Sequence, residues 1–79
     1  MLENVQQVKN DEGREFSGIK CLLPTKEGRC EGVWVEIKEI IVNTAIGILR
    51  NQPVEGRHEY GDTVLVQELH DDHKPYIIN

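Results

Sequence analysis

Near the C-terminal end, His70-Asp71-Asp72-His73 sets two imidazoles three positions apart with two carboxylates between them. Imidazole nitrogens and cysteine thiolates are the ordinary ligands of tetrahedral zinc, so these histidines together with Cys21 and Cys30 could supply a ligand set. Structural zinc sites usually bring paired ligands about two to four residues apart. Cys21 and Cys30 are nine apart. The expectation is therefore a solvated polar turn at residues 70–73, with no metal or other cofactor.

Nucleophilic chemistry is less supported still. Ser17 is the single serine and lies outside any strand-turn-helix elbow of the G-x-S-x-G type. Cys30 with His58 would make a thiol-imidazole pair only if the fold joined them, and an inert cysteine is the commoner case. Paired carboxylates for glycoside chemistry need a cleft, for which a small domain has little room. Neither "GREFSG" nor "EGRHEYGD" has the spacing of a phosphate-cradling loop. The chain reads as a non-enzyme.

A different kind of candidate is Trp34 in "EGVWVEIKEI", the only tryptophan. Alternation puts Val33, Val35 and Ile37 on one side of a strand and Trp34 with Glu36 and Lys38 on the other, solvent-facing side. Two accounts fit. A short N-terminal helix carrying Leu2, Val5 and Val8, joined by Phe16, could cover the indole, which is the usual way a small barrel hides such a face. Alternatively the indole is open and anchors a partner, as tryptophans at interface hot spots do.

The elements that must position these residues follow from pattern and punctuation. Leu2, Val5 and Val8 at three-residue spacing suit one or two helical turns, ended by "KNDEGRE". "FSGIKCLL" reads as a strand stopped by Pro24, and "PTKEGR" as a loop. Residues 32–50 fit both templates, since Ile37, Ile40, Ile41, Ala45, Ile48 and Leu49 also follow a helical period. Their β-branched content and Gly47 favour a hairpin, with strands from Gly32 to about Val42 and from Thr44 to Arg50 around Asn43-Thr44. "NQPVEGRHEYG" is a connection, "DTVLVQEL" a strand, and "PYIIN" a last short strand. The expected fold is mostly β, a single domain over residues 1–79: an SH3-like barrel of about five strands with a short N-terminal helix.

The 79 residues carry 14 acidic and nine basic side chains, both scattered, for a formal net charge of -5. A nucleic-acid partner is disfavoured, because phosphate neutralisation needs clustered Lys and Arg. Neither a signal peptide nor the roughly 20 apolar residues of a membrane span can be found, so a cytoplasmic protein with no membrane partner is expected, its two thiols reduced. In an exported protein they could instead close a loop around "LLPTKEGR". The four aromatics, Phe16, Trp34, Tyr60 and Tyr76, must also serve the core, which gives an aromatic peptide-binding or strand-binding platform little support.

"EGVWVEI", "GILRNQP" and "YGDTVLV", in this order, resemble a group of small bacterial domains of unknown function. Their pattern is a Trp-Val strand, a Gly-x-Leu-x-Asn-x-Pro segment and a Gly-Asp-x-Val strand, often followed by an Asp-Trp close where this chain has "HDDHKPYI". The resemblance spans residues 31–72 and implies a small SH3-like barrel. Some relatives act as immunity proteins against toxins. The function expected from it is a non-enzymatic protein-binding module of immunity or inhibitor type, monomeric or homodimeric. Trp34 and the acidic residues Glu55, Glu59, Asp62, Asp71 and Asp72 would face a basic protein partner. The alternatives are a structural or homo-oligomeric protein and a phage-encoded counter-defence protein.

Overall fold

The structure is a computed structural model and describes residues 5–10, 12–25, 27–54, 58–68 and 74–79. Six strands follow one another: β1 (Gln6–Lys9), β2 (Glu15–Pro24), β3 (Cys30–Ile41), β4 (Thr44–Leu49), β5 (Thr63–Glu68) and β6 (Pro75–Ile77). Each pairs antiparallel with the next, and Leu22 of β2 meets Tyr76 of β6 in a parallel pairing. That last pairing closes β2 to β6 into a five-stranded barrel, with β1 as an extra strand beside β2. The fold class expected from the sequence, mostly β with an SH3-like barrel of about five strands, is the one observed.

The short N-terminal helix is not. Residues 6–9 are strand, paired with β2 from Gln6↔Gly18 to Lys9↔Glu15. The physical reason lies in the next residues. Asn10 Oδ1 accepts hydrogen bonds from the amides of Glu12 and Arg14, 2.9 and 3.0 Å, and Gly13 takes the left-handed φ of 79°. This tight reversal folds residues 6–9 back on β2, where each gains a ladder partner, whereas a helix of one or two turns cannot repay its nucleation cost. The β2–β3 turn repeats the device: "TKEGR" matches "NDEGR" in its last three residues, Gly28 has φ 79°, and Thr25 N–H donates to Arg29 O as Asn10 N–H does to Arg14 O.

The barrel interior is filled by aliphatic side chains with period two: Ile19, Cys21 and Leu23 of β2, Val33 and Val35 of β3, Ala45 and Leu49 of β4, Val64 and Val66 of β5, and Ile77 of β6. No aromatic belongs to this cluster among the described residues. Gly47 sits inward where β4 presses on β3. A Cβ there would stand 2.5 Å from both Glu36 O and Val35 Cγ1. The ladder shifts register at the same level, between Ile37 and Glu39, leaving Lys38 as the bulged residue.

Candidate functional site

Outward-facing residues of β2 and β3 meet across the barrel wall: Gly18 opposite Glu36, and Lys20 opposite Trp34. Gly18 leaves room for the Phe16 ring, whose Cε2 would be 2.7 Å from a Cβ at position 18. Phe16 is therefore buried, yet on the outside of the barrel. Arg50 and Asn51 fix the other side of Trp34. The Arg50 amide donates to Trp34 O at 2.9 Å, and Asn51 Oδ1 accepts the Trp34 N–H. As the chain leaves the sheet after β4, the Asn51 side chain thus takes the place of the missing ladder carbonyl, so β3 keeps its pairing and Trp34 its orientation.

Glu36 is the most buried charged residue among those described, 8% exposed on this outer face. Its carboxylate is fully engaged. Arg50 Nε and Nη2 donate to one oxygen at 2.8 and 2.7 Å, and Lys38 Nζ donates to the other at 2.7 Å. The Lys38 hydrogen bond, followed by those and the charge of Arg50, outweighs burial and holds the carboxyl below its usual value. For Arg50, burial works against the charge, while hydrogen bonds to Glu36 and Tyr60 prevail and raise its pKa. Its guanidinium also lies over the Tyr60 ring, 5.9 Å from the centroid, and Lys20 Nζ lies over the Trp34 ring at 5.4 Å.

These residues enclose an open pocket of about 420 Å³ lined by Val8, Lys9, Asn10, Glu12, Phe16, Trp34, Arg50, Asn51 and Tyr60. Trp34 is half-buried, neither covered by a helix nor fully open. Three of the chain's four aromatics stand around this pocket, because the aliphatic interior has no need of them. Phe16, Arg50, Asn51 and Tyr60 were not singled out as a site in the sequence. The signal available was the pairing of an "RNQP" exit from one strand with the Trp-bearing strand before it.

The acidic candidates separate. Asp62 is half-buried and structural: its Oδ2 accepts the Glu59 N–H at 2.9 Å and its own N–H donates to Glu59 O at 3.1 Å, closing the turn that contains Gly61 with φ 91°. Glu59 is exposed beside Tyr60. Glu55, Asp71 and Asp72, and with them His70 and His73, lie outside the described residues. Among the described residues no three His, Cys, Asp or Glu side chains group as metal ligands, and no helix is long and apolar enough to cross a membrane. Both cysteines are free, Cys21 in the core and Cys30 exposed. The register pairs Cys21 with Val33 and Cys30 with Pro24, which puts the thiols three rungs apart and on opposite faces. Ser17 Oγ accepts a hydrogen bond from Gln7 Nε2 at 2.9 Å, tying β1 to β2. Comparison with protein-family models, curated proteins and solved structures finds no match to this chain.

Proposed function

We propose that this chain is a cytoplasmic, non-enzymatic protein-binding module of the immunity or inhibitor type, and that the pocket around Trp34 is its docking site. The observation that carries the reading is the placement of Phe16, Trp34 and Tyr60 around one pocket outside the hydrophobic core. Aromatic side chains bring large contact area at small entropic cost, and a half-buried tryptophan held rigidly by its neighbours is a typical anchor for a partner. The site is also preorganised, since Asn51, Arg50 and Glu36 hold its parts through hydrogen bonds already formed in the free protein.

Charge supplies the second element. With a net charge of -5 the molecule attracts a basic partner, while Glu12 on the pocket's rim and Glu59 next to Tyr60 place carboxylates beside the anchor. Affinity capture from the native host with the wild-type chain and with Tyr60→Ala tests the proposal. Tyr60 is 52% exposed and outside the core, so its truncation leaves the barrel intact. A basic protein held by the wild type and released by the variant is expected; a partner held equally by both would remove the pocket from the binding site.

A further inference from the structure

We infer that the Trp34 pocket of one copy receives the β3–β4 hairpin tip of a second copy, with Ile41 and Val42 entering between the aromatic walls. In the free protein the chain would then mask the site proposed for its partner. The tip is apolar where a turn is ordinarily polar: Ile40, Ile41 and Val42 are 45%, 53% and 83% exposed. Ile41 pairs with Thr44, so Val42 and Asn43 form a two-residue turn whose first position holds φ 56°. Glycine or asparagine adopts that conformation readily, and an asparagine stands one residue further on. A β-branched aliphatic in a left-handed turn, with its side chain in water, is not repaid by packing within its own barrel. Such an outlier points to a use outside the molecule.

Charge selects what the tip meets. An anionic lipid surface would repel a molecule of net charge -5, and Glu39 at the hairpin base adds to that repulsion. The pocket suits the tip in its interior and at its rim. Inside, Arg50 is committed to Glu36 at 2.7 Å, and the faces of Trp34 and Tyr60 already carry Lys20 and Arg50 at 5.4 and 5.9 Å. An uncharged guest is favoured there, and the run Ile40–Asn43 has no charge. At the rim, Lys9 and Glu12 offer one charge of each sign, and Lys38 and Glu39 at the hairpin base do the same. One orientation of the inserted hairpin therefore sets each charge against its opposite. The surface given differs from the surface that receives, so the contact is head-to-tail. A single hairpin tip buries less than the roughly 1,200 Å² of a stable complex, so the contact is weak and a tighter partner displaces it.

Sedimentation equilibrium of the full chain measures the contact. The wild type should rise above monomer mass as its concentration approaches about 1 mM, the range of a weak, transient interface. Two variants each remove one half of the contact. Val42→Asp replaces the aliphatic tip by a charged residue that tolerates the turn, and Tyr60→Ala strips a wall from the pocket. Both residues are more than half exposed, so neither change reaches the core. Each variant alone should stay monomeric at the same concentration. Mixed, they should form a one-to-one pair and grow no further, since the first keeps the pocket and the second the hairpin. Trp34 emission should move to the blue as the pair forms. A wild type monomeric at about 1 mM would overturn the inference. So would a variant that associates as the wild type does, a mixture that stays monomeric, or a pair that leaves Trp34 emission unchanged. The two readings of the pocket fail separately. If Tyr60→Ala releases the captured host partner while the wild type remains monomeric, the docking site stands and self-masking falls. If the variants complement one another while the host partner ignores Tyr60→Ala, the pocket serves the second copy and the partner docks elsewhere.

Discussion

Glu36 shows how a single charge can occupy an aliphatic strand position. It lies on the outer side of β3, 8% exposed, and is tolerated because each oxygen has a cationic partner, Lys38 on one and Arg50 on the other. Since Lys38 and then Arg50 hold its folded pKa below the ordinary carboxylate value, the ionised form is favoured by folding. That contribution is present above the unfolded value of about 4.3 and is lost as pH falls below it toward the folded pKa. Glu36→Gln should therefore have a shallower decline of melting temperature between neutral pH and pH about 3 than the wild type. Identical acid slopes would mean that the cluster adds no pH-dependent stability. The two thiols should differ as sharply. Burial pushes Cys21 up to about 12, whereas Cys30 is exposed. A disulfide-exchange reagent at neutral pH should titrate one thiol in the native protein, and the second only after denaturant is added. Two fast-reacting thiols would contradict the core position of Cys21.

At the scale of elements, the β3–β4 hairpin carries both the local strain and the ambiguity of the sequence. Its turn puts Val42 at φ 56°, a left-handed conformation that a β-branched residue adopts at a cost of about 1–3 kcal/mol. Val42 is 83% exposed, so packing does not repay that cost. Val42→Gly relieves the strain and gives back about 0.5–1 kcal/mol to the unfolded chain, for a net stabilisation of about 1 kcal/mol, seen as a melting temperature several degrees higher. A lower melting temperature would refute the strain. Gly47→Ala acts the other way. A methyl group 2.5 Å from Glu36 O forces β4 off β3 and should cost about 1–3 kcal/mol in urea unfolding. The bulge at Lys38 explains why residues 33–49 satisfied two periodicities. It shifts the phase by one residue, so Ile37 opposite Gly47 and Ile40 opposite Ala45 stand three apart on one side of the sheet, which is also a helical spacing; Ile37 packs against the core, and Ile40 is 45% exposed. The five barrel strands were legible because alternation and turn residues agree at each of them. Strand β1 was not, since Val5 and Val8 at three-residue spacing outweighed the Asn10–Gly13 turn signal in "KNDEGRE". The pocket was legible only through Trp34, because its other walls come from β1, β2 and the connection after β4, which only the barrel's register brings together.

For the whole molecule, the decisive economy is that a narrow aliphatic barrel fills itself. Ten buried residues without one aromatic make the described core, and this frees Phe16, Trp34 and Tyr60 for the outer wall. Closure of β2 onto β6 through Leu22 and Tyr76 removes two sheet edges that could otherwise pair with other chains, while among the described residues β1 pairs with β2 alone. On the proposed reading, binding specificity rests on the outer pocket around Trp34 and on the field of the molecule. The acidic and basic residues are scattered along the sequence, and the net charge of -5 acts at long range as a diffuse attraction for basic surfaces. Under the proposed function such a field accelerates encounter with a basic partner and has little hold on the formed complex, where the aromatic anchor would dominate. Raising ionic strength from about 0.01 to 0.15 M shortens the screening length from about 30 to 8 Å. The association rate with the captured partner should then drop by about tenfold or more, with the dissociation rate nearly constant, as stopped-flow Trp34 fluorescence would record. If salt instead accelerated dissociation and left association unchanged, the complex would be held by short-range ion pairs, and the acidic loops, not the Trp34 pocket, would be the docking surface.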